Sequence, residues 1–338
     1  MVYNLPMART LILPALLAIL CCFAPVAGAF QAPALEPVVS IVPRVRPDAN
    51  AAPASLPQAN LRVDSSLVLI PAHVTTPLGA SVTTLGRESF QLFEDNVEQR
   101  ITLFAKDDAA VSIGLLFDIS GSMRNKMRKS TEAVTELFKT ANADDEFFLV
   151  EFSDHPKLVV PFTPDSDDIY QRVAHTRPFG RTALLDAIQV GLTEMKRAHN
   201  LRKAIVILSD GGDNRSRYTW REIKTAMAES DVQLYAMGIF DREDPKKLSP
   251  EERNGPRLLS ELAESTGGRL YEVEDINQLP SISARIGREL RNQYLLGYAP
   301  VNATRDGKFR HVRLNLSAPP EMPSLRTFYR RGYYAPAQ

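Results

Sequence analysis

Cysteine is nearly absent from the sequence: there are two in 338 residues, and both, Cys21 and Cys22, lie within residues 1–29. We predict below that this segment is removed, which would leave a mature chain without cysteine. Such a chain can have no disulfide bond, no thiolate nucleophile and no cysteine-ligated metal. Export without disulfides is more typical of a bacterial envelope or secreted protein than of an animal extracellular module.

Residues 1–29 have the features of a signal peptide. Arg9 supplies a positive charge ahead of an almost uninterrupted apolar run at 11–24. Ala27-Gly28-Ala29 then offers a small-residue cleavage pattern, with Phe30 as the first mature residue. The alternative is an uncleaved membrane anchor, but the run is short for a membrane span and contains a proline. We therefore expect a secreted, periplasmic or envelope protein.

The sequence also lacks an excess of charge of either sign, with 40 basic and 40 acidic residues. It has no run rich in Lys and Arg with interleaved aromatic residues. Both absences argue against binding to nucleic acid or to an anionic membrane. The five histidines show no metal-ligand spacing, which disfavours a zinc site.

Proline is abundant in one stretch, residues 30–60, where six prolines are almost evenly spaced, at positions 33, 37, 43, 47, 53 and 57. Proline at this density prevents helices and interrupts strand pairing, so we interpret the stretch as an extended linker.

Residues 61–108 then favour β structure. Apolar runs at 90–93 and 101–104 flank the polar turn Glu94-Asp95-Asn96, a pattern that predicts a hairpin.

Residues 109–291 alternate between strand-like and helix-like segments, which predicts a doubly wound, mostly parallel α/β sheet with helices on both faces. Ala204–Leu208 is the clearest buried strand. The charged segment Asp241–Gly255 is interpreted as a surface loop. The other predicted strands are 111–117, 147–152, 158–162, 232–238 and 269–273. The first predicted helix follows strand 111–117 and ends at about Thr140. The other predicted helices cover 183–198, 219–229, 256–265 and 276–291.

Residues 292–338 return to short strands, at 294–298, 311–316 and 327–330. Each flank alone would leave unpaired strand edges and half of a core. We therefore predict that the segments 61–108 and 292–338 together form a small β-sandwich into which the α/β domain is inserted. Two separate β appendages are the alternative.

Oxygen-bearing side chains follow two of the predicted parallel strands. Asp118, Ser120 and Ser122 come directly after the first strand, and Asp210 follows Ala204–Leu208. Ligands of doubly wound sheets bind beyond the carboxyl ends of the strands. Thr182, in the loop Gly180-Arg181-Thr182, opens a predicted helix between them. Carboxylate and hydroxyl oxygens suit a hard divalent cation, which favours Mg²⁺ and leaves Mn²⁺ and Ca²⁺ open.

These motifs resemble the metal-ion-dependent adhesion site of von Willebrand factor type A domains, with Asp-x-Ser-x-Ser, a Gly-x-Thr loop and a later Asp-Gly. The resemblance covers about residues 111–291, and the flanks are similar to β segments of a bacterial group of exported proteins built on this domain. It implies one divalent cation held by five residues, namely Asp118, Ser120, Ser122, Thr182 and Asp210. In the family the serines touch the metal directly, and the Asp or Glu carboxylate of a protein partner completes the shell.

Each motif also has a purely structural interpretation, because Asp-x-Ser-x-Ser can be a turn or helix cap and Thr182 can cap its helix. The occurrence of all three in the right order favours the metal site. We expect Asp186 to support the site or lie at the surface, Asp213 and Asn214 to lie near its rim, and Arg181 to be a solvated charge or to steer an acidic partner.

Enzymatic alternatives fit less well. Haloacid-dehalogenase-like phosphatases need a second acid where this chain has Ser120. An α/β-hydrolase needs a Gly-x-Ser-x-Gly elbow, and a P-loop is absent. A further alternative is a scaffold whose metal only stabilises the fold. The sequence therefore predicts a non-enzymatic protein-binding or adhesion module, with neither nucleic acid nor a small molecule as its ligand.

Overall fold

The computed structural model of the protein describes residues 67–106, 109–210, 212–240, 250–317 and 324–337. The predicted signal peptide (1–29) and proline-rich linker (30–60) lie outside the described residues. Four strands precede the central α/β region: β1 (Val68–Thr75), β2 (Phe90–Glu94), β3 (Val97–Gln99) and β4 (Ile101–Ala105).

The central region alternates strands and helices. Its elements are β5 (Val111–Asp118), α1 (Met127–Phe138), β6 (Glu146–Phe152), β7 (Pro156–Thr163), α2 (Ser166–Ala174), α3 (Leu184–Met195), β8 (Arg202–Ser209), α4 (Trp220–Glu229), β9 (Val232–Gly238), α5 (Pro250–Ser265), β10 (Arg269–Glu272) and α6 (Leu279–Arg291). Four strands follow it: β11 (Gln293–Tyr298), β12 (Phe309–Leu316), β13 (Arg326–Tyr329) and β14 (Gly332–Tyr334). Within the described ranges, every helix is too short or too polar to span a bilayer.

The central sheet has the strand order β10-β9-β8-β5-β6-β7 and is parallel except for its edge strand β7. All eight residues of β5 are buried, as expected for a strand covered on both faces. Neighbouring residues face opposite layers: Leu115 packs in the core that α1, α2 and α6 cover, and Leu116 packs in the core that α3, α4 and α5 cover. The predicted doubly wound sheet is confirmed.

The flanking strands form two antiparallel sheets, with the orders β13-β1-β11-β4 and β14-β12-β2-β3. Each sheet combines strands from both ends of the described chain. In one, Ile70 pairs with Leu296, and in the other, Leu92 pairs with Leu314. All four of these side chains belong to one buried cluster. The structure therefore has the predicted split β-sandwich, and the alternative of two separate β appendages is wrong.

The predicted hairpin between 90–93 and 101–104 is wrong. Strand β2 pairs instead with the short β3, because Asp95 and Asn96 both adopt positive φ angles, 46° and 70°. Two consecutive residues of this kind make a tight turn whose twist matches a two-stranded ribbon. The chain then crosses to the other sheet, where β4 pairs with β11.

Two helices also differ from the prediction. Helix α2 was not predicted, because only Ile169 and Val173 face the core and this periodicity is too short to recognise. Helix α5 begins at Pro250, six residues before the predicted start at Pro256, so the C-terminal part of the predicted loop Asp241–Gly255 is helical, and 241–249 lie outside the described residues. Proline at position 250 is compatible with the first turn of a helix, because the backbone N–H that proline lacks would have no partner within the helix there.

Candidate metal centre

The candidate site lies at the carboxyl ends of two adjacent parallel strands, β5 and β8. Phe117 pairs with Leu208 in their register, so the residues that follow, Asp118 and Ser209, are neighbours. The Ser209 hydroxyl donates a hydrogen bond of 2.5 Å to Asp118 Oδ2. The two strand ends that the sequence analysis singled out are therefore joined directly by side chains.

A third loop, at 179–183, closes over these strand ends. The Gly121 amide donates to the Gly180 carbonyl at 3.0 Å, and the Phe179 amide donates to the Ile119 carbonyl at 2.7 Å. These two bonds tie the loop to the residues after β5. Gly180 has a φ of +75°, a left-handed conformation that glycine adopts without strain.

Thr182 is joined to the loop after β8 by a reciprocal pair of hydrogen bonds with Asn214. The Thr182 amide donates to Asn214 Oδ1, and the Asn214 amide donates to the Thr182 carbonyl, both at 3.0 Å. Thr182 is buried, with 4% of its surface exposed. The three segments that carry the five predicted residues thus meet in one place.

Four of the five predicted residues are linked by a chain of hydrogen bonds. Asp118 Oδ1 accepts from the Ser120 amide at 2.8 Å, and the Ser120 and Ser122 hydroxyls share a bond of 3.0 Å. The Ser122 hydroxyl donates to Asp210 Oδ1 at 2.8 Å. Ser122 is the exposed member of the chain. The fifth residue, Thr182, is held at the site through its backbone.

The electrostatics of the site are dominated by the burial of Asp118, which is 0% exposed. Burial raises the pKa of Asp118 to about 6, against the opposing effect of the hydrogen bonds from Ser209 and Ser120. In the part of the chain that the structure describes, no Lys or Arg side chain contacts this carboxylate. A buried anion without a cationic partner is unfavourable, and a bound cation would relieve it.

The donor set fits a hard cation. It offers two carboxylates and three hydroxyls, and Mg²⁺ prefers an all-oxygen shell in which several ligands are water. Among the described residues there is no cluster of three or more His, Cys, Asp and Glu side chains that could hold a metal. An ion at this site would therefore depend on the hydroxyls of Ser120, Ser122 and Thr182.

Two other acidic residues support the loops. Asp186 is buried, and its Oδ1 accepts from the amides of Arg217 and Tyr218 at 2.8 and 3.1 Å. Asp213 Oδ1 accepts from the Leu185 amide at 3.3 Å. Both carboxylates fasten the start of α3 to the loop after β8, so they position Thr182 relative to Asp210.

Sequence reasoning missed Lys126. Its Nζ lies 2.7 Å from Asp210 Oδ2, and the two side chains are 13% and 1% exposed. Lys126 follows a 3-10 helix at Gly121–Asn125, which turns it back towards β8. The sequence indicated only a basic residue four positions after Ser122, and that pattern does not distinguish a buried ion pair from a solvated lysine.

Comparison with known proteins relates the segment around this site to a known domain family. Residues 113–212 match the family model of the von Willebrand factor type A domain. An uncharacterized protein of Borreliella burgdorferi is 28% identical over 193 residues, which cover 49% of this chain and 55% of that protein. The chain thus spans about half the length of this curated relative.

Two solved structures are also similar. A von Willebrand factor type A protein from Catenulispora acidiphila has a TM-score of 0.47 and 13% identity, covering 74% of this chain and 73% of that one. The conserved hypothetical protein BatB from Bacteroides thetaiotaomicron has a TM-score of 0.43 and 17% identity, covering 53% of this chain and 98% of that one. The matched residues 113–212 span the strand ends at 118 and 210, so the segment that carries the candidate site is the one that resembles the von Willebrand factor type A domain.

Proposed function

We propose that the protein is an exported, non-enzymatic binding protein that captures an acidic side chain of a protein partner through a divalent cation, with Mg²⁺ favoured. The observation that carries this proposal is the buried carboxylate of Asp118, which has no cationic partner among the described residues and is linked through Ser120 and Ser122 to Asp210. The exposed end of that chain, Ser122, would be the point of access from solvent.

In this proposal the five residues divide the work. Ser120, Ser122 and Thr182 would offer neutral hydroxyl oxygens, and Asp118 and Asp210 would supply the negative charge. A bound divalent cation with few anionic ligands remains electrophilic, so it attracts an external carboxylate. The protein's own contribution is to hold the three loops together, which the hydrogen bonds between Gly121 and Gly180 and between Thr182 and Asn214 provide.

Binding is a better interpretation than hydrolysis. A serine nucleophile needs a base within hydrogen-bonding distance. In the described residues, the hydroxyls of Ser120 and Ser122 bond to each other and to Asp210, and no histidine belongs to this chain of bonds. The Asp210 carboxylate is also paired with Lys126, which makes it a weak base. A panel of phosphatase and esterase substrates tests this point, because turnover that disappears in Ser120→Ala would contradict the proposal.

The primary test is calorimetric titration of Mg²⁺ and Mn²⁺ into the purified protein and into Thr182→Ala. We expect binding by the wild type and none by the variant, since Thr182 supplies one of the five oxygens. Thr193→Ala is the matched control, because this residue lies on the exposed face of α3. An absence of ion uptake by the wild type would reject the metal site.

Capture of a partner needs a separate test. Envelope and culture fractions are passed over the immobilised protein with Mg²⁺ and then with EDTA. A partner that is retained only with Mg²⁺, and is lost in Asp118→Ala, supports capture. If Mg²⁺ raises the melting temperature but the same proteins are retained with EDTA, the ion serves only as a scaffold. Sequencing of the mature N-terminus tests export, and we expect it to begin at Phe30.

A further inference from the structure

Phe179 is an exposed aromatic side chain on a fixed backbone. It is 57% exposed, although its amide is bonded to the Ile119 carbonyl between two candidate ligands. The next residue, Gly180, accepts a bond from the Gly121 amide, and the Arg181 amide that follows donates to Asp154 Oδ1 at 3.1 Å. Phe179 therefore presents its ring beside the candidate metal centre from a backbone that hydrogen bonds attach to the residues after β5.

Two surface hollows flank this ring, and both are lined by Phe179, His155 and Ser153. The first also contains Asp154, Arg181 and Arg215. The second extends along the start of β7, and its further charged side chains are Glu151, Lys157, Arg172 and Arg177. We call the surface formed by Phe179, Lys157, Arg177, Arg181 and Arg215 the Phe179 rim.

The rim is basic although the whole chain has no net charge. The two hollows contain five Lys and Arg side chains against two carboxylates. One of these carboxylates, Glu151, is buried and already paired with Arg172, through bonds of 3.0 and 2.6 Å. Asp154 accepts a bond from the Arg181 amide. Within the described ranges, the four basic side chains of the rim have no carboxylate partner.

We infer that the Phe179 rim binds an acidic peptide segment of the partner whose carboxylate reaches the metal centre, with an apolar side chain of that segment against Phe179. This inference rests on the proposed function. Unpaired arginines favour carboxylates, and an exposed ring favours an apolar or aromatic neighbour. A nucleic acid would also be attracted to arginines and an exposed ring, but the chain has 40 basic and 40 acidic residues, and this lack of excess positive charge argues against a nucleic-acid partner.

The test uses two short fluorescein-labelled peptides, one made of Asp and Glu with a central Phe and one with Gly in place of that Phe. Binding is measured by fluorescence anisotropy with Mg²⁺ and with EDTA, over a range of salt concentrations. We expect Arg181→Ser/Arg215→Ser to weaken both peptides about tenfold and to reduce the salt dependence. We expect Phe179→Ser to weaken only the Phe peptide, by about fivefold.

Matched controls are Arg326→Ser, an exposed arginine on β13, and Leu201→Ser, an apolar residue that is 64% exposed. Neither should alter binding, and thermal melting checks that all variants fold. Wild-type binding that depends on Mg²⁺ but is unchanged in the rim variants would overturn the inference and leave the proposed function intact. Binding that depends on the rim residues but is equal in Mg²⁺ and in EDTA would reject the proposed metal-dependent capture and retain the rim as a surface that binds acidic peptides. Tighter binding of a labelled oligothymidylate than of either peptide would also overturn the inference.

Discussion

Lys126 Nζ lies 2.7 Å from Asp210 Oδ2, so an ammonium group contacts one of the two carboxylates that we propose as metal ligands. The other oxygen of Asp210 accepts from the Ser122 hydroxyl. Asp210 is thereby oriented from both sides. Because a lysine and a divalent cation are both positive, they oppose each other wherever they approach the same carboxylate.

We predict that Lys126→Met binds Mg²⁺ about tenfold more tightly than the wild type, equivalent to about 1.4 kcal/mol. The reason is the removal of a positive charge next to a ligand. Isothermal titration calorimetry measures the difference. Lys129→Met is the control, because Lys129 lies on α1 and pairs with Glu132 instead. Weaker binding by Lys126→Met would mean that the lysine serves to orient Asp210 for the ion.

A second prediction concerns Asp118, whose buried carboxylate lacks a cationic partner in the described residues. At about 100 times its Kd, Mg²⁺ should stabilise the wild type by about 2.7 kcal/mol. Asp118→Asn should lose this effect yet remain at least as stable as the wild type in EDTA, since the amide removes a buried charge. Denaturant unfolding with and without Mg²⁺ measures both effects. A variant that is stabilised by Mg²⁺ as strongly as the wild type would remove Asp118 from the ligand set.

A third prediction concerns the pH dependence of folding. His73 is buried on β1, and burial lowers its pKa to about 4, although Glu289 Oε2 lies 3.7 Å away and favours the charged form. The ring is therefore neutral in the fold and becomes protonated in the unfolded chain below about pH 6.5. Stability is fully present above that pH and falls as the pH decreases towards 4.

Between about pH 7.5 and pH 5, we expect the free energy of unfolding to fall in both proteins, and the fall in His73→Gln to be about 2 kcal/mol smaller than in the wild type. Glutamine retains a polar group for the bond that His73 Nε2 makes with the Ser81 hydroxyl at 2.9 Å. Guanidinium unfolding at the two pH values measures the difference. His311→Gln is the control, on an exposed position of β12. Parallel losses in His73→Gln and the wild type would show that another group controls the acid sensitivity.

A fourth prediction concerns hydrogen bonds at Glu94 that join the two flanks of the sandwich, which we call the Glu94 clasp. The Tyr298 and Tyr333 hydroxyls each donate to Glu94 Oε2 at 2.7 Å, and all three residues are buried. Tyr298→Phe leaves this carboxylate with one fewer donor, so we expect a loss of about 2 kcal/mol in the free energy of unfolding. Tyr334→Phe, at an exposed position, should cost less than about 0.5 kcal/mol. Equal losses would contradict a specific role for the Glu94 clasp.

The sequence predicted the central sheet well because its strands are long and uniformly apolar. Ala204–Leu208 lies within β8, and the residues after β5 and β8 could be placed at one edge by the rule for parallel sheets. The hairpin after β2 was mispredicted because an apolar run alone does not show which sheet it joins. The positive φ angles of Asp95 and Asn96, which turn the chain directly into β3, are visible only in the structure.

The five candidate ligands could be proposed from the sequence because their residue types carry the chemistry. Lys126 and Phe179 could not, since what distinguishes them is where the folded chain places their side chains. A basic residue after a turn and an aromatic residue before a glycine are ordinary in sequence. Their burial and exposure, respectively, depend on contacts with β8 and with the loop after β5 that are distant in the chain.

The chain enters and leaves the central domain at the edge of the sheet opposite the candidate site. Val111 and Arg202 pair at the amino ends of β5 and β8, and Arg202 Nη2 donates to the Gln293 carbonyl at the start of β11. The β-sandwich thus joins the central domain at the end of the sheet opposite Asp118 and Phe179. Loops at the end that carries the site could change in length or charge, and so in what they recognise, without disturbing the sandwich.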